Sequence, residues 1–148
     1  MKIERGIIKS IGLLVFLIVI VTIVTSLGCT STPQETVVQE LDVGGLNTIV
    51  KYVNVPSDAK IRVEISNFTV IDNPSGFGGM NNIDFYGINV EGQDGQATNN
   101  YADHIIDSKS FTNLNDGFSG NNTFKSGLKS IAIVTTDSKA HIKIVAIK

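Results

Sequence analysis

From residue 37 to the C-terminus, runs in which apolar residues occupy every second position recur, and no window keeps the i, i+3, i+4 spacing of an amphipathic helix. Successive side chains of an extended chain point to opposite faces, so this alternation predicts half-buried strands. In "KIRVEIS", Lys60 to Ser66, the residues Ile61, Val63 and Ile65 share one face, and Lys60, Arg62 and Glu64 share the other. The C-terminal run "KAHIKIVAIK" sends Ala140, Ile142, Ile144 and Ala146 one way and His141 and Lys143 the other. "LKSIAIVTT" precedes it, and the intervening "TDSK" predicts a hairpin between the two. "TIVKYVNV" (Thr48 to Val55), "NIDFYGINV" (Asn82 to Val90), "KSFTNL" (Lys109 to Leu114) and "ETVVQEL" near residue 37 are further strands.

Turn formers punctuate these runs at Gly44-Gly45, Pro56-Ser57-Asp58, Asp94-Gly95, Asp116-Gly117 and Ser126-Gly127. Two phase slips occur inside strands. After Ile65 the apolar positions move from odd to even at Phe68 and Val70, and Ile83 and Phe85 give way to Ile88 and Val90 across Gly87. A slip of one residue flips the buried face unless an extra residue is absorbed, so bulges are expected near Asn67 and Gly87. The spacing of strands and turns predicts an all-β antiparallel sandwich of seven to nine strands over residues 37–148, reached through a polar linker, residues 29–36.

Residues 1–28 are of another kind. Lys2, Arg5 and Lys9 precede a stretch, Ser10 to Gln34, without a charged residue. Its apolar centre, Ile11 to Leu27, is expected to form a hydrophobic helix about 26 Å long, just short of a hydrocarbon layer of about 30 Å. Basic residues ahead of the run leave the N-terminus inside and send the rest of the chain out. A signal peptide and a retained membrane-anchor helix both fit. The single cysteine, Cys29, closes this segment. A lone thiol at an exterior membrane surface is exposed to oxidation, and acylation removes that hazard while adding about 0.8 kcal/mol per buried methylene.

"SLGC", Ser26 to Cys29, resembles the lipobox of prokaryotic lipoproteins, in which a small residue precedes a cysteine acylated on sulfur. Gly28 and Cys29 match that pattern, and Ser26 stands where a large aliphatic residue is usual. Farther along, "KIRVEISN", "IDFYGINVEGQDGQ" and "FKSGLKSIAIVTTD" together resemble the telokin-like immunoglobulin-fold domains of prokaryotic lipoproteins. This likeness implies an immunoglobulin-like sandwich acting as a surface binding or structural module, and it brings no catalytic residues with it.

Chemistry-bearing residues are sparse. From Cys29 onward nine basic residues stand against thirteen acidic ones, a net charge of −4 without a basic cluster, which argues against a nucleic-acid partner. The two histidines, His104 and His141, fit a loop and a solvated strand face, and no nucleophile elbow accompanies them. Hard oxygen ligands for calcium occur at Glu91 and Asp94 in "VEGQDG" and at Asn113, Asn115 and Asp116 in "NLNDG", without EF-hand spacing. Phe77 and Met80 form an apolar tip in the glycine-rich loop "DNPSGFGGMNN", a candidate for partner contact. Asn67 and Asn121 head N-glycosylation sequons, the latter in what reads as a polar loop. Tyr86 and Tyr101 are candidates for a small sugar-stacking platform. The expectation is a non-enzymatic, cofactor-free envelope module. It is held to the outer membrane face by lipid or helix and contacts other envelope proteins, with carbohydrate or calcium binding as the alternative.

Overall fold

Six antiparallel strands carry the fold: β1 (Glu35–Asn54), β2 (Lys60–Val70), β3 (Ile83–Ile88), β4 (Ile105–Phe111), β5 (Gly120–Phe124) and β6 (Ser130–Ile147). A short 3₁₀ helix, Thr98–His104, precedes β4. The computed structural model describes residues 32–72 and 81–148. The expected N-terminal helix and Cys29 lie outside the described residues, as do Phe77 and Met80.

The count of six, against seven to nine expected, has a specific cause. β1 and β6 are each long enough to serve two half-sheets, and each contains what the sequence presents as two strands. β6 pairs with β1 along its whole length, while its other edge holds β3 over Ser130–Thr135 and β2 over Ser138–Ile147. One half-sheet therefore runs β1–β6–β3–β4 and the other β1–β6–β2–β5. The chain crosses between them at a shared corner, where Gly44 (φ 108°), Asn47 (φ 69°) and Asp137 (φ 45°) adopt left-handed backbone.

The hairpin predicted at "TDSK" is thus a corner within one strand, and Gly44-Gly45 is its counterpart in β1. Pairing continues beyond the corner after a one-residue register shift, with Gly45 opposite Ser138 and Thr48 opposite Thr136. Because β1 supplies a partner to both halves of β6, the halves need not pair with each other. Asp137 absorbs the slip that moves the buried positions from Ile131 and Ile133 to Ala140, Ile142 and Ile144. Its carboxylate accepts the Asn47 amide at 2.7 Å and its carbonyl accepts the Ile71 amide at 2.7 Å.

Both predicted bulges are present. Register shifts between Ser66 and Thr69, where Asn67 has φ 53°, and between Gly87 and Ile88. A Cβ on Gly87 would lie 2.8 Å from Leu128 Cδ2, so glycine at this inward position is what admits Leu128 and Phe124. One core joins the two half-sheets, with Ile61, Val63, Ile65 and Phe68 of β2 packed with Ile83, Phe85, Phe124, Ile131, Ile133, Ile142 and Ile144. Two further strand boundaries differ from expectation. β4 begins at Ile105, earlier than Lys109, and Asn121 belongs to strand β5, paired with Glu64, rather than to a polar loop.

Candidate functional site

The corner opens on a cleft of about 490 Å³ lined by Asp42, Val43, Gly44, Asn67, Thr69, Lys139, Ala140 and His141. The register lays Asp42 of β1, His141 of β6 and Ser66 of β2 in one row across three strands. His141 Nδ1 lies 2.9 Å from Asp42 Oδ1, so the carboxylate orients the ring. Among the described residues no hydrogen bond joins His141 to Ser66, and no base-activated hydroxyl is assembled there. The cleft presents one oriented imidazole, the Lys139 ammonium and the Asn67 amide, groups suited to holding polar ligands.

A second polar cluster surrounds Tyr52. The segment after β3 packs on it so closely that a Cβ on Gly92 would lie 2.2 Å from Tyr52 Cδ1. The Tyr101 ring meets the Tyr52 ring at 5.2 Å between centroids. Asp94 accepts the Lys51 ammonium at 2.9 Å and the Tyr52 amide at 2.9 Å, and Tyr52 donates its hydroxyl to the Gln96 carbonyl at 3.1 Å. The Lys51 ammonium, with the Tyr52 amide, holds the Asp94 carboxyl below its ordinary range. Partial burial, helped by Tyr101 and Asp94, pushes the Tyr52 phenol up. Tyr101, a candidate with Tyr86 for a sugar platform, meets Tyr52 instead, and the Tyr52 and Tyr101 hydroxyls are both engaged within this cluster.

The calcium candidates fall in two separate places. Asp94 serves the Tyr52 cluster, while Asp116 accepts the Val70 amide at 2.9 Å. Asn115 carries a turn through its carbonyl, which accepts the Phe118 amide at 3.1 Å, and Asn113 adopts φ 55°. Glu91 is exposed. Among the described residues no three His, Cys, Asp or Glu side chains gather as a metal site. Asn67 and Asn121, the sequon asparagines, are both exposed, one on the β2 bulge and one on β5.

The sequence did not reveal the charged rows on the outer face. Arg62 donates to Glu35 through both terminal nitrogens at 2.7 Å and to Glu64 through Nε at 2.7 Å. The Arg62 guanidinium holds the Glu35 carboxyl down. On β4, Asp107 and Lys109 share the inward-facing parity of Phe111 and pair at 3.2 Å, with the Lys109 ammonium 5.8 Å from the Phe124 ring centroid. Charges aimed inward blunt an edge strand against pairing with other chains. The alternation pattern assigned a face to Arg62 and Glu64, but Glu35 fell in the expected linker and Asp107 ahead of the expected strand, so it carried no signal for these pairs.

No protein-family model matches the chain, and no curated protein matches it. Among solved structures it is similar to the Bacillus endospore appendages that form a family of disulfide-linked pili. That match has 12% identity and TM-score 0.36, covering 82% of this chain and 97% of that one. It is also similar to two cleaved adhesin domains of Lys-gingipain from Porphyromonas gingivalis W83. The K1 domain matches at 15% identity and TM-score 0.35, over 72% of this chain and 66% of that one. The K3 domain matches at 12% identity and TM-score 0.36, over 78% and 70%. At such identities and scores these likenesses transfer neither a fold assignment nor a function.

Proposed function

We propose that this chain is an exported, membrane-tethered β-domain, a non-enzymatic binding or structural module of the cell envelope with the character of a telokin-like lipoprotein. The observation that carries the proposal is the order Lys2, Arg5, Lys9, an uncharged Ser10–Gln34, and Cys29 within it, followed directly by a sheet domain whose first strand begins at Glu35. The positive flank sets the orientation, and the apolar run with Cys29 supplies the attachment. The polar side chains nominated as ligands support a scaffold role, since Asp94 and Asp116 hold loops to strands and Tyr101 packs its ring on Tyr52 of β1.

Intact mass of the membrane-extracted protein, beside a Cys29→Ser variant, tests this. The wild type is expected to lack residues 1–28 and to carry acyl chains that the variant lacks. Unmodified full-length mass in both would replace the lipid by a retained helix. Recovery of both proteins wholly from the soluble fraction would sink the tether.

A further inference from the structure

We infer that the end of the β-domain at which the chain enters is a docking face for anionic phospholipid headgroups. The corner folds β1 and β6 back, so all four of their ends meet at one end of the unit: Glu35 pairs with Ile147, and Asn54 with Ser130. Gln34 and Lys148 exchange backbone hydrogen bonds at 3.0 and 3.1 Å, the Val55 amide bonds the Lys129 carbonyl at 2.9 Å, and Gly127 bonds Ser57 at 2.8 Å. Lys60 starts β2 opposite Ile147, and Lys125 follows Phe124 at the end of β5. Four exposed lysines, Lys60, Lys125, Lys129 and Lys148, are thereby gathered there, with Asp58 bound to Lys148 at 2.6 Å.

Other cations are neutralised: at this same end Arg62 holds Glu35, and Lys51, Lys109 and Lys143 each hold a carboxylate. Among the described residues Lys60, Lys125 and Lys129 hold none; Lys139, at the corner, is the other cation in that condition. The corner end bears Asp72, Asp84, Asp116 and Asp137 against Lys139. Glu91, Asp94 and Asp103 lie on the segment between β3 and β4, which starts and ends at the entry end, where Ser130 donates to the Val90 carbonyl at 2.8 Å; of the three, Asp94 is neutralised by Lys51. A domain so polarised, brought to an anionic surface, turns its lysines toward the surface and its corner away. Five residues separate Cys29 from Glu35, six steps with a reach of at most about 22 Å, so a tether at Cys29 delivers this end first. The inference rests on the tethered reading above.

The test uses the full chain reconstituted in phosphatidylcholine vesicles with or without about 30 mol% phosphatidylglycerol. Flotation with the vesicles reports the tether, and amine acetylation followed by peptide mass spectrometry reports each lysine, scaled to Lys139. Docking is expected to slow labelling of Lys60, Lys125, Lys129 and Lys148 by about three- to tenfold in anionic vesicles only, reversed by about 0.5 M salt. In a Lys60→Gln, Lys125→Gln, Lys129→Gln variant, the protection of Lys148 is expected to fall to its level in neutral vesicles. Flotation with equal labelling in both vesicle types, or protection of Lys139 instead, overturns the docking face and leaves the tether standing. Failure to float in either composition overturns the tether and the docking face with it.

Discussion

Gly44 and Thr135 show how single atoms govern the corner. A Cβ on Gly44, whose φ is 108°, would lie 1.9 Å from the Ser138 carbonyl oxygen, a backbone atom fixed by pairing with β1. Gly44→Ala is therefore expected to cost about 3 kcal/mol or more, combining left-handed strain with a backbone clash. Thermal unfolding measures this as a large fall in Tm. Thr135 presents the opposite case: its Oγ1 is buried without a hydrogen-bond partner among the described residues. Replacing it by valine keeps the shape and removes an unpaired hydroxyl, so Thr135→Val is expected to stabilise by about 1 kcal/mol. An unchanged or lower Tm would contradict that.

At the scale of elements, the segment between β3 and β4 has no strand partner of its own and depends on Asp94 and the two tyrosines. The folded state binds the Asp94 proton more weakly than the unfolded chain does, because the Lys51 ammonium and the Tyr52 amide favour the carboxylate. Its contribution is present above the unfolded value of about 3.8 and is lost as pH falls through the lower folded one. Hydrogen exchange across residues 89–104 is accordingly expected to accelerate below about pH 4 relative to the β2–β6 core. In Asp94→Asn that acid response disappears and exchange is already faster at neutral pH. Glu35 and Asp58 are held down by Arg62 and Lys148 in the same sense, and both are fully exposed, so their effect is screened.

For the whole molecule, continuity of β1 and β6 means that neither half-sheet owns its strands. The halves share one core and two backbones, so they are expected to unfold together in a single transition. Far-ultraviolet and tyrosine near-ultraviolet circular dichroism should give coincident curves, and Gly44→Ala should shift both equally. Two separated transitions would show that the corner is a hinge between independent layers.

Local chemistry was legible wherever it depended on neighbours in sequence. Alternation identified the class and the buried face of β2, and parity slips located the bulges at Asn67 and Gly87, because side-chain direction in an extended chain follows from position alone. The same kind of slip at Asp137 was equally visible, yet a hairpin and a corner leave the same trace in a single strand. What separates them is whether another strand accompanies both halves, and that partner, β1, lies some ninety residues away. Strand number, the Asp42–His141 pair, the inward Asp107–Lys109 pair and the gathering of lysines at the entry end all wait on the same information. Sequence alone specifies an antiparallel β-domain that follows an apolar, cysteine-bearing segment. Which strands are continuous and which charges meet follows from the folded packing, since register between distant segments is set by one shared core.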